Sequence, residues 1–138
     1  MSTDIRPELS KHSKYYLNRH RYYELKHFCL QYPEWKKLYS ELDALVKQND
    51  SSVQNKNAPV NSPVENCVEK RLFYSERMEM VEKAAAEACA DLSDYILAAV
   101  TKGLSYEIIK LRLEIPCCKD TYYALYRRFF WTLDRIRQ

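Results

Sequence analysis

One glycine, Gly103, has to serve all 138 residues of this chain. Tight turns between strands draw on glycine because its backbone enters positive φ without strain. A chain with a single glycine therefore lacks the punctuation of an all-β fold. The five prolines do not supply it either: Pro7 lies near the start, Pro59 and Pro63 lie in a polar stretch, and Pro33 and Pro116 lie between segments of helical periodicity. Proline at such boundaries starts or stops helices. The expected class is all-α.

Hydrophobic residues make up 46% of the chain and charged residues 30%, a balance that supports packed cores and argues against disorder. The length suits one domain or two small helical units. No apolar run approaches the roughly 18 residues that span a bilayer, and residues 1–7 have no leader-like apolar stretch. The expectation is a cytoplasmic protein with no membrane partner.

The five cysteines, Cys29, Cys67, Cys89, Cys117 and Cys118, are odd in number, form no CxxC pair, and include an adjacent couple too constrained for an ordinary disulfide. Reduced thiols are expected. His12, His20 and His27 stand far from every cysteine but Cys29, so neither a metal site nor any other cofactor is expected.

Residues 48–65, QNDSSVQNKNAPVNSPVE, are poor in large apolar side chains and rich in Asn, Ser and Pro, the composition of a connector. The chain divides accordingly into an N-terminal helical hairpin over 1–47, a flexible linker over 48–65, and a long helix with a C-terminal three-helix unit over 66–138. In the hairpin, helices are expected over about 14–31 and 33–47. Tyr15, Tyr22, Leu25, Phe28, Cys29 and Tyr32 stripe the first, and Trp35, Leu38, Leu42, Leu45 and Val46 stripe the second. An aromatic interface between the two is the economical packing.

After the linker, Tyr74, Met78, Val81, Ala85 and Ala88 alternate spacings of four and three. Such a narrow seam packs internally or joins two subunits. A homodimer through the 70–90 helix is one of the two outcomes.

From Asp91 onward the punctuation is most informative. Leu92, Ile96, Ala99 and Val100 form an apolar face that stops at Gly103, a C-terminal stop able to turn left-handed. Ser105 suits the cap of the next helix. That helix, over 106–113, is expected to turn Ile108 and Leu111 inward, with Ile109 a further candidate. Pro116 then bars continuation, Ile115 plugs the core, and the last helix starts near Asp120; of Asp120 and Cys118, Asp120 is chosen as its cap because a carboxylate is the good acceptor for free amides. Tyr122, Tyr126, Phe129, Leu133 and Ile136 are spaced to face the other helices.

A helix enters the major groove only with an exposed leading edge, an anchored back and cations against the phosphates. Lys119, Asp120, Thr121, Tyr123, Ala124, Arg127 and Arg128 fall on the edge left over by the aromatic face, and Lys110 and Arg112 precede them on the shorter helix. Lys and Arg are in excess at both ends of the chain, whereas residues 71–99 are acidic. This asymmetry suits a polyanion-binding tail. It suits equally an amphipathic core helix with solvated arginines.

The run LSYEIIKLRLEIPCCKDTYYALYRRFFWTL resembles the C-terminal helix-turn-helix of the RinA and ArpU families of phage late-gene transcription regulators, themselves similar to the region 4 domain of sigma factors. The GLSY opening, the Leu-x-Ile-Pro turn and the Asp-Thr-Tyr-Tyr start of the last helix carry the likeness, over about 45 residues. It implies a DNA-binding regulator in a bacterial host cell, with double-stranded DNA and RNA polymerase or another host protein as partners. It also implies that Lys119, Asp120, Thr121, Tyr123, Arg127 and Arg128 face DNA. The run RHRYYELKHFCLQYPEWKKL resembles segments of uncharacterised prophage proteins of Gram-positive bacteria.

Two features depart from the regulator pattern. Cys117 and Cys118 replace polar residues, and Phe129, Phe130 and Trp131 are bulky for a recognition helix. They keep a second reading open, that of a small phage protein that binds and inhibits a host protein such as a CRISPR-type defence complex. The sequence has no phosphate loop, no HExxH and no Cys and His pair with an orienting carboxylate, so an enzyme is not expected.

Overall fold

The computed structural model describes residues 14–51 and 63–138, with the side chains of 14–48 and 66–138. Among the described residues the regular structure is entirely helical: α1 (Arg19–Leu30), α2 (Tyr32–Ser51), α3 (Pro63–Cys89), a single 3-10 turn (Ala90–Leu92), α4 (Ser93–Lys102), α5 (Tyr106–Leu113) and α6 (Lys119–Ile136). The all-α class follows from this directly.

The helices divide into two compact units, and the division does not follow the one read from the sequence. One unit holds Met1–Gln31 together with Met80–Gln138; the other holds Tyr32–Glu79. Helix α1 thus belongs with α4, α5 and α6, and the 1–47 hairpin is not a unit of the structure. The physical reason is the aromatic stripe of α1. Fully buried Tyr22 meets the Phe130 ring edge-on with centroids 5.1 Å apart, and its hydroxyl lies 2.9 Å from that of Tyr126. Edge-to-face rings of this kind add to the burial of their surface.

In the first unit α1 packs on α4 and α6, and α4 packs on α5 and α6. Asn18 caps α1, its side chain accepting from the His20 amide at 2.9 Å. The cap sets the helix start about five residues after the expected one. Leu25, Cys29, Val81, Ala84, Ile96, Ile109, Ile115, Phe129, Phe130 and Leu133 are shut away from solvent. Val81, Ala85 and Ala88 are all buried here, so this half of the long-helix seam is covered by the chain itself.

Helix α3 ends where Ala90 takes a left-handed φ of 42°, a conformation unusual for a residue with a Cβ. Helix α4 ends at Gly103, with φ 66°, and a Cβ placed there would stand 3.3 Å from the Leu30 side chain. Glycine therefore satisfies both the backbone and the close approach.

In the second unit α2 continues to Ser51, beyond the expected end at residue 47, because the apolar stripe stops at Val46 while backbone hydrogen bonding needs no apolar side chain. Residues 52–62 of the expected linker lie outside the described residues. Asp43 holds Arg71 of α3 at 2.7 Å and Lys47 at 3.1 Å. Trp35 and Val46 are buried, but Leu45 of the same expected stripe is exposed, as are Val68, Leu72 and Phe73 on α3.

Candidate functional site

The C-terminal helices assemble around a short turn. Ser105 caps α5 as expected, accepting from the Ile108 amide at 3.4 Å. Glu114 then takes a left-handed φ of 54° and ends the helix. Ile115, with no exposed surface, plugs the core. Two side chains of α5 hold the turn: the Tyr106 hydroxyl donates to the Cys117 carbonyl at 2.7 Å, and Lys110 Nζ donates to the Ile115 carbonyl at 3.0 Å.

Helix α6 begins at Lys119, and its N-cap is Cys118 in extended conformation. Asp120 is not the cap. It sits in the first turn, where a carboxylate still faces the positive end of the peptide dipoles. The clamp from Tyr106 onto Cys117 favours this earlier start, since it fixes the backbone just ahead of Cys118.

The phase of α5 differs from the expected one. Ile109 is completely buried, whereas Leu111 is 81% exposed. An eight-residue helix offers only two turns from which to read a period, and Ile108, Ile109 and Leu111 fit more than one phase. Tyr106, Glu107, Lys110, Leu111 and Glu114 line an open groove of about 690 Å³ along this outer face.

The nine residues singled out from the sequence separate in the structure. Tyr123 is not on the open face: only 6% of it is exposed, and its ring meets Tyr122 at 4.9 Å and Tyr106 at 6.5 Å between centroids. The Tyr106 ring, at the start of α5, reaches the side of α6 that a narrower apolar stripe would have left free. Lys119 is exposed but ion-paired with Glu107 at 3.0 Å, and Lys110 is committed to the turn carbonyl.

Asp120, Thr121, Ala124 and Arg128 are exposed, and Arg127 is half-buried. Arg112 is exposed on α5. Among the described residues, the guanidinium groups of Arg112, Arg127 and Arg128 enter no ion pair or hydrogen bond. Asp120, Ala124, Arg127 and Arg128 share one edge of α6 by their spacing. The same line continues to Trp131 and Arg135, neither of them among the nine. Arg135 lies over the Trp131 ring at 4.7 Å, and Tyr15 meets that ring edge-on at 5.3 Å. The spacing of three and four from Arg128 to Trp131 to Arg135 was the signal available for them.

Electrostatics differ between the two ends of the edge. Around the start of α6, Glu107, Glu114 and Asp120 offset Lys110 and Lys119, while farther along Arg127, Arg128 and Arg135 make no ion pair with a carboxylate among the described residues. Glu107 is held below its ordinary range by its own backbone amide and then by Lys119, and Lys119 is correspondingly raised. Burial pushes the Cys89 thiol up to about 12, opposed by the positive charge of Arg128.

No group of three or more His, Cys, Asp or Glu side chains among the described residues is arranged to hold a metal ion. No helix among them is long and apolar enough to cross a membrane. Comparison of the chain with known protein families, with curated proteins and with solved structures gives no match.

Proposed function

We propose that the chain is a phage-type transcriptional regulator that binds double-stranded DNA through its C-terminal helix-turn-helix. The observation that carries this reading is the exposed edge of α6. Thr121, Ala124 and Arg128 are open to solvent, Arg127 is half open, and the opposite side is anchored by Tyr122, Phe129 and Leu133, each with 1% or less of its surface exposed. Small Ala124 permits close approach to base edges. Arg127 and Arg128 suit guanine or phosphate, since a guanidinium offers two parallel donors. Arg112 is placed to reach the backbone.

The partners under this reading are duplex DNA and, as a protein contact, RNA polymerase or another host protein. A second copy remains a partner through α3, but at Leu72 and Phe73, because Val81, Ala85 and Ala88 are covered. The seat of action is the cytoplasm of a bacterial host cell, and no catalytic step or cofactor enters the proposal.

Leu111 favours a second reading, the protein that binds and inhibits a host complex. A leucine left 81% exposed beside Glu107 and Glu114 suits a protein partner better than a phosphate backbone. Binding to a mixed-sequence duplex at two salt concentrations separates the readings. A DNA-binding protein loses affinity steeply as salt rises, through counterion release. The Arg127→Ala, Arg128→Ala pair is expected to abolish that binding with helicity intact, and unchanged affinity in the double variant overturns the regulator reading.

A further inference from the structure

Helix α6 is longer than the groove it is proposed to enter. Its 18 residues rise about 27 Å at 1.5 Å each, whereas the major groove is about 12 Å wide and curves around the duplex. With Thr121 and Ala124 of the leading half against base edges, the last two turns pass out over the flanking sugar-phosphate backbone. What those turns present to a polyanion belongs to the same interface.

They present a cation already set in place. Arg135 is exposed, and its guanidinium carbon stands 4.7 Å from the centroid of the half-buried Trp131 ring. Tyr15 meets that ring edge-on at 5.3 Å, and buried Leu17 anchors the segment that carries Tyr15. Ala124, Arg128, Trp131 and Arg135 fall within about 60° of arc at 3.6 residues per turn, with Arg135 about 16 Å beyond Ala124. The stack therefore continues the edge that holds Arg128.

The contact with Trp131 leaves Arg135 able to bind. A guanidinium over a ring uses the face of its plane, while its N–H donors lie in the plane and project past the ring. Arg135 enters no ion pair or hydrogen bond among the described residues. Asp134, its neighbour in sequence, is engaged by Arg21 at 2.6 Å and by Gln138 at 3.2 Å. A planar fork fixed by a ring matches two oxygens of a phosphodiester and loses less freedom on binding than a loose side chain. Arg127 and Arg128 on the same edge favour a polyanion over the single carboxylate of a protein partner.

We propose that Arg135, held on Trp131, is a second backbone clamp, gripping a phosphate of duplex DNA that flanks the bases met by the leading half of α6. Trp131 is its positioning residue, and Tyr15 braces that ring. The clamp rests on the duplex-binding reading given under Proposed function, and extends it by a contact beyond the residues that resemble a recognition helix.

The test is binding of the full chain to a mixed-sequence duplex of about 20 base pairs, from about 50 to 200 mM salt. Arg135→Gln is expected to weaken binding about tenfold at the lower salt and to reduce the slope of log affinity against log salt by about one unit. Trp131→Leu keeps every charge and is expected to weaken binding about threefold. In its background Arg135→Gln is expected to be nearly silent. A merely structural Trp131 would lower the melting temperature and leave the full Arg135 effect standing.

Unchanged affinity and slope in Arg135→Gln overturn the proposal, and a full tenfold loss from Arg135→Gln in the Trp131→Leu background overturns the part given to Trp131. Where Trp131→Leu does not fold, Arg135→Gln alone decides, since Arg135 is exposed. Loss of binding in the Arg127→Ala, Arg128→Ala pair with Arg135→Gln unaffected removes the clamp and keeps the regulator reading. A wild type that binds no duplex removes both.

Discussion

Arg21 Nε donates to Asp134 Oδ1 at 2.6 Å, an ion pair between residues 113 positions apart that joins α1 to the last turns of α6. Both side chains are largely screened from solvent, at 30% and 16% exposure. Asp134 and, more weakly, Glu24 hold the Arg21 guanidinium more firmly protonated than usual. Asp134→Ala is expected to lower stability by about 1 kcal/mol, read as a lower urea midpoint with an unchanged slope. Arg21→Ala is expected to add little once Asp134 is gone. Additive losses in that double-mutant cycle would show that the two residues act separately.

Ile109 and Leu111 give opposite predictions two residues apart. Ile109→Ala removes a fully buried side chain and is expected to destabilise the fold by about 2–5 kcal/mol. Leu111→Ala trims a side chain in solvent and is expected to change stability by less than about 0.5 kcal/mol. Thermal unfolding of the two variants checks the phase of α5.

Lys110 and Arg112 should likewise separate. Lys110→Ala deprives the Ile115 carbonyl of its donor and is expected to cost about 1 kcal/mol of stability. Arg112→Ala breaks no ion pair or hydrogen bond among the described residues and is expected to leave the melting temperature in place. Under the regulator reading it reduces the salt dependence of duplex binding by about one unit of slope. The reverse pattern, with Lys110 affecting DNA and Arg112 affecting folding, would contradict the geometry of the turn.

The Glu107–Lys119 pair predicts a pH window. Glu107 lies below its ordinary 4.5, through its own amide first and Lys119 next. Its contribution is therefore full above 4.5 and is lost as pH falls through the lowered value. Lys119 lies above its ordinary 10.5, chiefly through Glu107. Its contribution is full below 10.5 and is lost as pH rises through the raised value. The melting-temperature difference between wild type and Glu107→Gln is expected to be constant between these limits and to shrink on acidification. A difference that grows in acid would mean that Glu107 is not stabilised as a carboxylate.

What could be read from the sequence was local. Gly103, Ser105 and Ile115 announce a stop, a cap and a plug through chemistry confined to a few neighbouring residues, and all three stand as read. Tyr122, Phe129 and Leu133 announce the buried side of α6 because five turns of helix sustain a clear period. The destination of the α1 aromatics was not legible, since nothing in Tyr22 or Phe28 indicates which distant helix receives them. Tyr123 was misplaced because the Tyr106 ring reaches its side of α6, a contact between two helix starts that spacing within α6 does not announce. The cap at Cys118 depends on a tyrosine from the preceding helix. The exposed edge with Ala124 and Arg128 was legible as the remainder of the apolar face, whereas the ion pair that engages Lys119 required the approach of two helix starts.

Because α1 belongs to the unit completed by α6, a ribosome emits it long before its docking surface exists. Over a hundred residues must be added between Arg21 and its counterpart Asp134. During synthesis the Tyr22, Leu25 and Phe28 side chains therefore travel uncovered, and closure of that unit waits until α6 has been made. Shortening the chain by even the final turns of α6 would strand the first helix along with the last.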